Sequence, residues 1–479
     1  MKPRIAVLGG GPAGLAMAMR LLRRNDLGAD VTVIERGPAP GGLARSFETD
    51  GLVFDCGSHR LHPSTAPEIL DDLRVLLGSE LLVRPRNGRI RLKGRFVKFP
   101  LQLGDLARRL PPSFLAGIGL DLATKPLRGG RSEPASFAEA LRRSLGPTMC
   151  RDFYFPYARK LWGTEPDRIS AQQAKRRVSA NTIGKILVKV MGGGRNRGQG
   201  GKRVFFYPRG GFGQISTALA REVERLGGRI RLGSSVERVH VDDGSVEAVG
   251  VVPAAAANGA SEETLPVDFV FSTIPLTILC SKLDPPPPRE LADTASRLRF
   301  RSMVLCYLVL GADRFTPFDA HYFPEQDVVF SRISEPKIYR AATEPAGRTG
   351  LCAEIPCAVG DELWRQPDAA IVDRVKADLA RCGLPVDAVL RRGFVVRLPY
   401  VYPVYDVGVE ERFASVDRYL GGLGKLVSLG RQGLFAHDNT HHTIEMSYRA
   451  SECLRPDLSF DHETWAAHRA RFQSNVVED

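Results

Sequence analysis

The chain has 479 residues and a mass of 52.5 kDa, with 43% hydrophobic and 25% charged residues, proportions that give it a large core in two or three lobes and exclude collagen-like, wholly disordered and disulfide-scaffold chains. The formal net charge is +13, and 54 of the 67 basic residues are arginine, an excess that reads either as genomic base composition or as an anionic partner such as a diphosphate cofactor, an acidic substrate or a membrane surface. No nucleic-acid-binding motif accompanies the charge, so nucleic acid is not an expected partner.

Arg4 to Leu8 reads as a short buried strand. With Lys2 before it the segment imitates a signal peptide, but the glycine pattern behind it argues against one. In Gly9-Gly10-Gly11-Pro12-Ala13-Gly14, the residues Gly9, Gly11 and Gly14 complete a GxGxxG pattern. Leu15 to Arg24 has helix-forming composition, and Val31 to Ile34 is a second strand ending in Glu35. Gly9 permits the tight turn, Gly11 lets the backbone approach a pyrophosphate, and Gly14 lets the helix pack on the strand. The helix N-terminus offers free N–H groups to the anion, and Glu35 can accept from ribose hydroxyls. Strand, glycines, helix, strand and acid in this order are a dinucleotide-binding fingerprint.

Residues 96–190 read as mainly helical, interrupted at Pro111-Pro112. Within them, 102–128 mix apolar side chains with Arg108, Arg109, Lys125 and Arg128. No clean amphipathic period runs through that stretch, so it reads as a helical cover of the lobe, with a peripheral membrane contact left open. Ser136 and Glu139 have capping-box spacing ahead of a helix from Phe137. Residues 191–203 are a glycine-rich basic loop, either an exposed connector or a substrate lid. Residues 229–251 alternate as paired strands, 253–265 form a hairpin tip, and Pro285 to Pro288 are a rigid connector. Residues 300–310 are a buried strand, with similar runs at 350–355 and 393–398. The eight cysteines form no CxxC pair, so reduced thiols in a cytoplasmic protein are expected, without a structural zinc site. No apolar run approaches the ~20 residues of a membrane span, leaving a cytoplasmic protein or one peripheral to the inner face of the membrane.

The stretch after Glu35, Arg36-Gly-Pro-Ala-Pro-Gly41-Gly42-Leu43-Ala44-Arg45-Ser46, resembles the second FAD signature of the amine oxidase, protoporphyrinogen oxidase and UDP-galactopyranose mutase superfamily. Phe54 to His62, Tyr154 to Gly163, residues 206–214, Val270 to Leu276, Gly430 to Gly433 and Asn439 to His442 are each similar to further segments of those proteins. The resemblance implies an α/β fold: a Rossmann-like FAD-binding domain of the glutathione-reductase type with an inserted helical and sheet substrate lobe. Residues 1–95, 203–278 and 415–479 would form the FAD domain, 96–202 the helical part of the substrate lobe and 279–414 its sheet part.

The same resemblance implies a set of cofactor contacts. Gly9, Gly11, Pro12, Ala13 and Gly14 would meet the diphosphate together with Arg36, Gly42, Leu43, Ala44 and Arg45. Glu35 would take the ribose and the backbone at Val236 the adenine. Ser58 and His59 would lie beside the flavin ring. Gly430, Arg431, Asn439, Thr440, His441 and His442 would approach it from the C-terminal side, with a helix N-terminus aimed at flavin O2 or the ribityl chain. Three histidines in 437–442 suggest a metal, but their place after Gly-Arg-x-Gly and before a helix argues against one, so no metal is expected.

His59, Arg60, His62, Arg177 and Tyr402 are the candidate catalytic residues. A loop histidine at the flavin edge could relay a proton, or it could simply bond loop carbonyls. Arg60 could neutralise a reduced flavin or form a surface ion pair. Tyr157, Lys160, Trp162, Arg176, Arg177 and Tyr400 are the candidate substrate contacts. Arg177, with Arg176 as alternate, would grip a nucleotide diphosphate, and Trp162 would stack on a substrate ring or pack in the core. Tyr400 and Tyr402 share one face of a strand and could wall the cavity. The expected activity is an FAD-dependent oxidoreductase passing hydride from a small organic substrate to flavin N5. The alternative is a mutase in which reduced flavin attacks the anomeric carbon of a nucleotide sugar.

Overall fold

The computed structural model describes residues 2–99, 101–128, 133–177, 204–255 and 261–477, side chains at 103 and 175–177 excepted. The loop 191–203 lies outside the described residues.

Five parallel strands form the central sheet, in the order Leu426–Ser428, Phe269–Ser272, Arg4–Leu8, Asp30–Ile34, Arg229–Arg231. Helix Pro12–Leu22 follows the first strand, and all of Ala13 to Met19 are buried. A helix that is small and apolar all round can sit only between other elements. Here it packs between helices Thr440–Cys453 and Gln214–Arg225. Arg229–Arg231 pairs with Asp30–Ile34, while the hairpin expected beside it joins Ser234–Asp242 to Ser245–Pro253. That hairpin belongs to a four-stranded sheet with Glu263–Pro266 and Leu283–Asp284.

The seven-stranded sheet runs Leu390–Pro403, Phe300–Leu310, Thr349–Cys357, Arg332–Ser334, Ala320–Tyr322, Gly88–Leu92, Arg95–Phe99. Both faces of its middle are covered, which is why these strands read as continuous apolar runs rather than alternating ones. Val304, Cys306 and Leu308 pack with Ile371, Val375 and Leu379 of helix Asp368–Arg381. Met303, Leu305 and Tyr307 point the other way, toward Leu52, Phe54 and Cys56. Successive side chains thus divide between a helical backing and the site.

Helix Phe137–Leu145 starts where the Ser136 cap places it: Ser136 Oγ accepts from Glu139 N–H at 3.3 Å, but Glu139 Oε2 accepts from Ala135 N–H at 2.8 Å rather than from Ser136 N–H, so the expected capping box is only half formed. No helix among the described residues is long and apolar enough to cross a membrane.

Candidate active site

The first strand ends at Leu8, and the chain turns through Gly9 at φ +101°. A Cβ there would stand 2.5 Å from Thr273 Oγ1, and one on Gly14 would stand 1.9 Å from the Gly9 carbonyl oxygen. A Cβ on Gly11 would meet nothing within 4 Å. Two of the three glycines are therefore fixed by close packing, and the third faces open space. Glu35 ties two loops together: Oε2 accepts from Gly10 N–H and Oε1 from Gly37 N–H, each at 2.6 Å. Each carboxylate oxygen keeps a further lone pair for a ligand.

A single cavity of about 660 Å³ begins at this loop and continues to the seven-stranded sheet, within the usual range for ligand sites of about 300–1,000 Å³. Gly9, Gly11, Pro12, Ala13, Glu35 and Arg36 line one end, joined by Gly42, Leu43, Ala44, Arg45 and Val236. Ser58, His59, Arg60, His62, Tyr400 and Tyr402 line the other, where Arg431, Asn439 and Thr440 also meet it. Gly14, Gly430, His441 and His442 are not part of the wall; Gly14 and Gly430 stand directly behind it, against Gly9 and Ala13.

The turn from Asp55 to Arg60 is fixed from several sides. The buried Asp55 carboxylate accepts from Ser46 Oγ at 2.5 Å, from Phe212 N–H at 3.0 Å and from the Tyr207 hydroxyl, and Tyr307 donates to the Asp55 carbonyl at 2.8 Å. Burial pushes this carboxyl up, against the Ser46 and Tyr207 hydrogen bonds. His59 Nε2 lies 3.0 Å from the Cys56 carbonyl, and its ring stacks on Phe212 at 5.2 Å. Burial holds its pKa below the ordinary value, although the Asp55 charge opposes this. Cys56 also lines the cavity, and burial pushes its thiol up to about 11, which keeps it protonated.

Sequence reading missed the strongest charged pair in the wall. Glu354 is 3% exposed on the wholly buried strand Thr349–Cys357. It accepts from Ser58 N–H at 2.6 Å and from Arg332 Nε and Nη2 at 3.1 and 2.8 Å, while Arg332 Nη2 also donates to the Ser58 carbonyl at 3.1 Å. The signal was present: Glu354 is the one charge in the apolar run from Leu351 to Cys357.

Arg60 is not a surface cation. It forms a buried pair with Asp319 at 3.3 Å, donates to the Tyr339 hydroxyl at 3.0 Å and lies over the Phe205 and Tyr339 rings. Burial works against its charge, but Tyr339, Tyr322 and Asp319 more than offset this and leave its pKa raised. Tyr402 has the Arg431 guanidinium over its ring at 5.1 Å, and Arg431 also donates to the Val401 and Asp438 carbonyls. Asn439 caps helix Thr440–Cys453 and shares a capping box with His442. His441, 4% exposed, lies between the His62 and His442 rings at 5.9 and 3.9 Å, and neither of its ring nitrogens has a hydrogen-bond partner. Burial and the two neighbouring histidines push it down to about 2, so it is neutral. Among the described residues no group of three or more His, Cys, Asp or Glu could hold a metal ion.

Three expected substrate contacts stand away from the cavity wall. Lys160 donates from Nζ to the carbonyls of Phe323 at 2.8 Å, Phe330 at 3.1 Å and Glu325. Burial lowers its pKa to about 8. Trp162 packs edge-on against Phe137 at 5.3 Å, and Tyr157 stacks on Phe153 at 6.0 Å. Arg176 and Arg177 end helix Ala171–Arg177, with side chains outside the described residues.

The family described as flavin containing amine oxidoreductase matches residues 12–449. The chain belongs to that family. It is 27% identical over 426 residues to a 4,4'-diapolycopene oxygenase of Methylomonas sp, covering 80% of this chain and 81% of that one. It is 23% identical over 458 residues to a coproporphyrinogen III oxidase of Bacillus subtilis (strain 168), covering 88% and 91%. Its fold matches a crystal structure of reduced UDP-galactopyranose mutase with a TM-score of 0.80 at 21% identity, over 99% of this chain and 100% of that one. The protein is thus an enzyme of a flavin-dependent oxidoreductase family, with FAD as its cofactor. The cavity fits that cofactor: Gly9, which admits no side chain, and Gly11, which leaves open space where a Cβ would stand, present backbone to it at one end, and a sheet and a helix N-terminus bound it at the other.

Proposed function

We propose that the protein is an FAD-dependent oxidoreductase that takes hydride from a small organic substrate bound at the sheet end of the cavity. The observation that carries this reading is continuity: the cavity lined by the glycine loop is also lined by His59, Arg332, Glu354 and Tyr400. When bound, FAD supplies the hydride acceptor, N5 of its ring system. In this reading the N–H groups of Gly11 and Gly42 and the Arg45 guanidinium hold the diphosphate, Glu35 a ribose, and the backbone at Val236 the adenine. The N-terminus of helix Thr440–Cys453 directs its dipole at the flavin end. Neutral His59, with Nε2 engaged by Cys56, keeps Nδ1 to hold or accept a proton. The Arg332–Glu354 pair fixes the turn at Ser58 against the sheet, and Tyr400 and Tyr402 wall the site from water.

The relatives make polyenes and tetrapyrroles the first substrates to try, followed by amines. The test is anaerobic mixing of the FAD-loaded protein with each class while the flavin absorbance is recorded. Bleaching by at least one of them is expected. A spectrum that answers only to a nucleotide sugar, and only after dithionite reduction, would assign the chain to the mutase reaction instead.

A further inference from the structure

His437 lines the cavity beside Tyr402 and is 1% exposed. It is held from three directions. Its backbone N–H donates to the Tyr405 hydroxyl at 3.2 Å, and that hydroxyl donates to the Phe435 carbonyl at 2.8 Å. Phe435 takes φ +47°, a conformation that a bulky side chain keeps only where its surroundings impose it. The His437 ring lies against the Tyr402 ring, with centroids 4.7 Å apart. Its Nδ1 faces the Gln173 amide nitrogen at 3.4 Å. Gln173 comes from helix Ala171–Arg177, and the start of that helix is tied to the same tyrosine: Ser170 N–H donates to the Tyr405 carbonyl at 2.8 Å, and Gln173 N–H to the Ser170 carbonyl at 3.1 Å. Tyr405 therefore sets both the imidazole and the amide that meets it.

Gln173 is wholly buried, and its Oε1 has no hydrogen-bond partner among the described residues. A glutamine amide turns end for end with little change of shape. With Oε1 toward the ring it accepts from Nδ1–H. That gives the buried oxygen a partner and leaves the lone pair of the imidazole on Nε2. The same orientation serves the imidazolium, which also presents N–H at Nδ1, and a neutral amide adds no charge that would hold the proton there. The titratable and charged groups on the elements packed round the ring are Tyr402, Tyr405, Arg431 over the Tyr402 ring, and Asp438, whose carboxylate faces His442 at 3.8 Å and Asn475 at 3.5 Å.

We propose that His437 is the catalytic residue that takes the substrate's proton, at Nε2, and that Gln173 positions it. The proposal rests on the oxidoreductase reading of the cavity. In that reaction a C–H bond of the substrate breaks and its electron pair leaves with the hydride, to the flavin. The neighbouring X–H bond, with X carbon, nitrogen or oxygen, breaks the other way: its pair becomes the new C=X bond and its proton goes to His437. This part is separate from that of His59, which is held by Cys56 in the turn from Asp55 to Arg60.

The test is stopped-flow reduction of the FAD-loaded chain, across pH, by a substrate class that bleaches it. His437→Ala should slow bleaching at least about a hundredfold without changing its dependence on substrate concentration, and added imidazole should restore part of the rate. Gln173 stands outside the cavity wall, so its variants should keep the parent's flavin spectrum. Gln173→Glu places a carboxylate beside Nδ1–H and stabilises the imidazolium, so the rise of the rate with pH should move up by about one unit. Gln173→Leu removes the acceptor and should move it down. Proton NMR of the histidine rings, with the His437 signal identified by its loss in His437→Ala, should show the same displacements without substrate. A His437→Ala variant that bleaches at the parental rate would overturn the proposal and leave the oxidoreductase reading standing. So would Gln173 variants that leave the pH profile of the rate where it is. If no substrate class bleaches the parent, the oxidoreductase reading fails and the proposal falls with it.

Discussion

The two ends of the cavity are built from different materials. The nucleotide end is mostly backbone: glycines and a helix N-terminus, with the arginines Arg36 and Arg45 and one acid, Glu35, spent on holding two loops together. Apart from Val236, its partners lie within about forty residues of each other, and its tolerance is chiefly steric. The sheet end is side chains in pairs, Glu354 with Arg332 and Asp319 with Arg60, joined to the turn at Ser58 across 296 residues of sequence. Its tolerance is electrostatic, because each charge there is buried and depends on its partner. The first end therefore selects for shape and the second for charge balance.

Substitutions should separate these two behaviours. The largest effect belongs to Gly14→Val, whose Cβ would overlap the Gly9 carbonyl; FAD content after reconstitution should fall to background. Gly11→Ala meets open space and should keep the fold while weakening FAD binding by about tenfold, as a methyl group lifts the diphosphate off the backbone. At the sheet end, Glu354→Gln keeps the shape and removes the charge. It should cost about 3–5 kcal/mol in urea denaturation by leaving the buried Arg332 charge beside a neutral amide, while FAD still binds. Lys160→Met removes the ammonium that joins three carbonyls; a loss of about 1–3 kcal/mol is expected. Because Lys160 stands away from the wall, the KM for any substrate found should not move, and a raised KM would bring it back into the substrate site.

The smallest effect at neutral pH belongs to His441→Leu, within about 0.5 kcal/mol, since neither ring nitrogen has a partner to lose. Its signature is in acid. Burial first, then His442 and His62, depress the folded pKa from 6.5 to about 2. Between those values the unfolded chain holds a proton that the folded chain does not, so stability is full above about 6.5 and falls as pH drops toward 2. Melting curves between pH 7.5 and about 4 should fall less steeply for His441→Leu than for the parent.

The nucleotide end was legible in the sequence because its geometry is local. Turn, helix and acid follow within 35 residues, and Gly9, Gly11 and Glu35 stand where their spacing put them. The N-cap at Ser136 was legible for the same reason. The sheet end was only partly so. Tyr400 and Tyr402 line the cavity, but so do Pro399 and Val401, so strand alternation does not account for their place, and Glu354 and Arg332 meet Ser58 only after the sheet has assembled. Lys160 and Trp162 misled because a motif fixes which residues occur together and not which side of the helix faces the site. On helix Phe155–Trp162 both are buried in the lobe, Lys160 satisfied by carbonyls and Trp162 packed against Phe137.

The most direct test of a cavity divided in this way is the absorbance spectrum of the reconstituted chain after gel filtration. The expected result is a protein-bound flavin spectrum in the parent and in Glu354→Gln, and its loss in Gly14→Val. A parent chain that stays colourless, or a Gly14→Val variant that keeps its flavin, would contradict it.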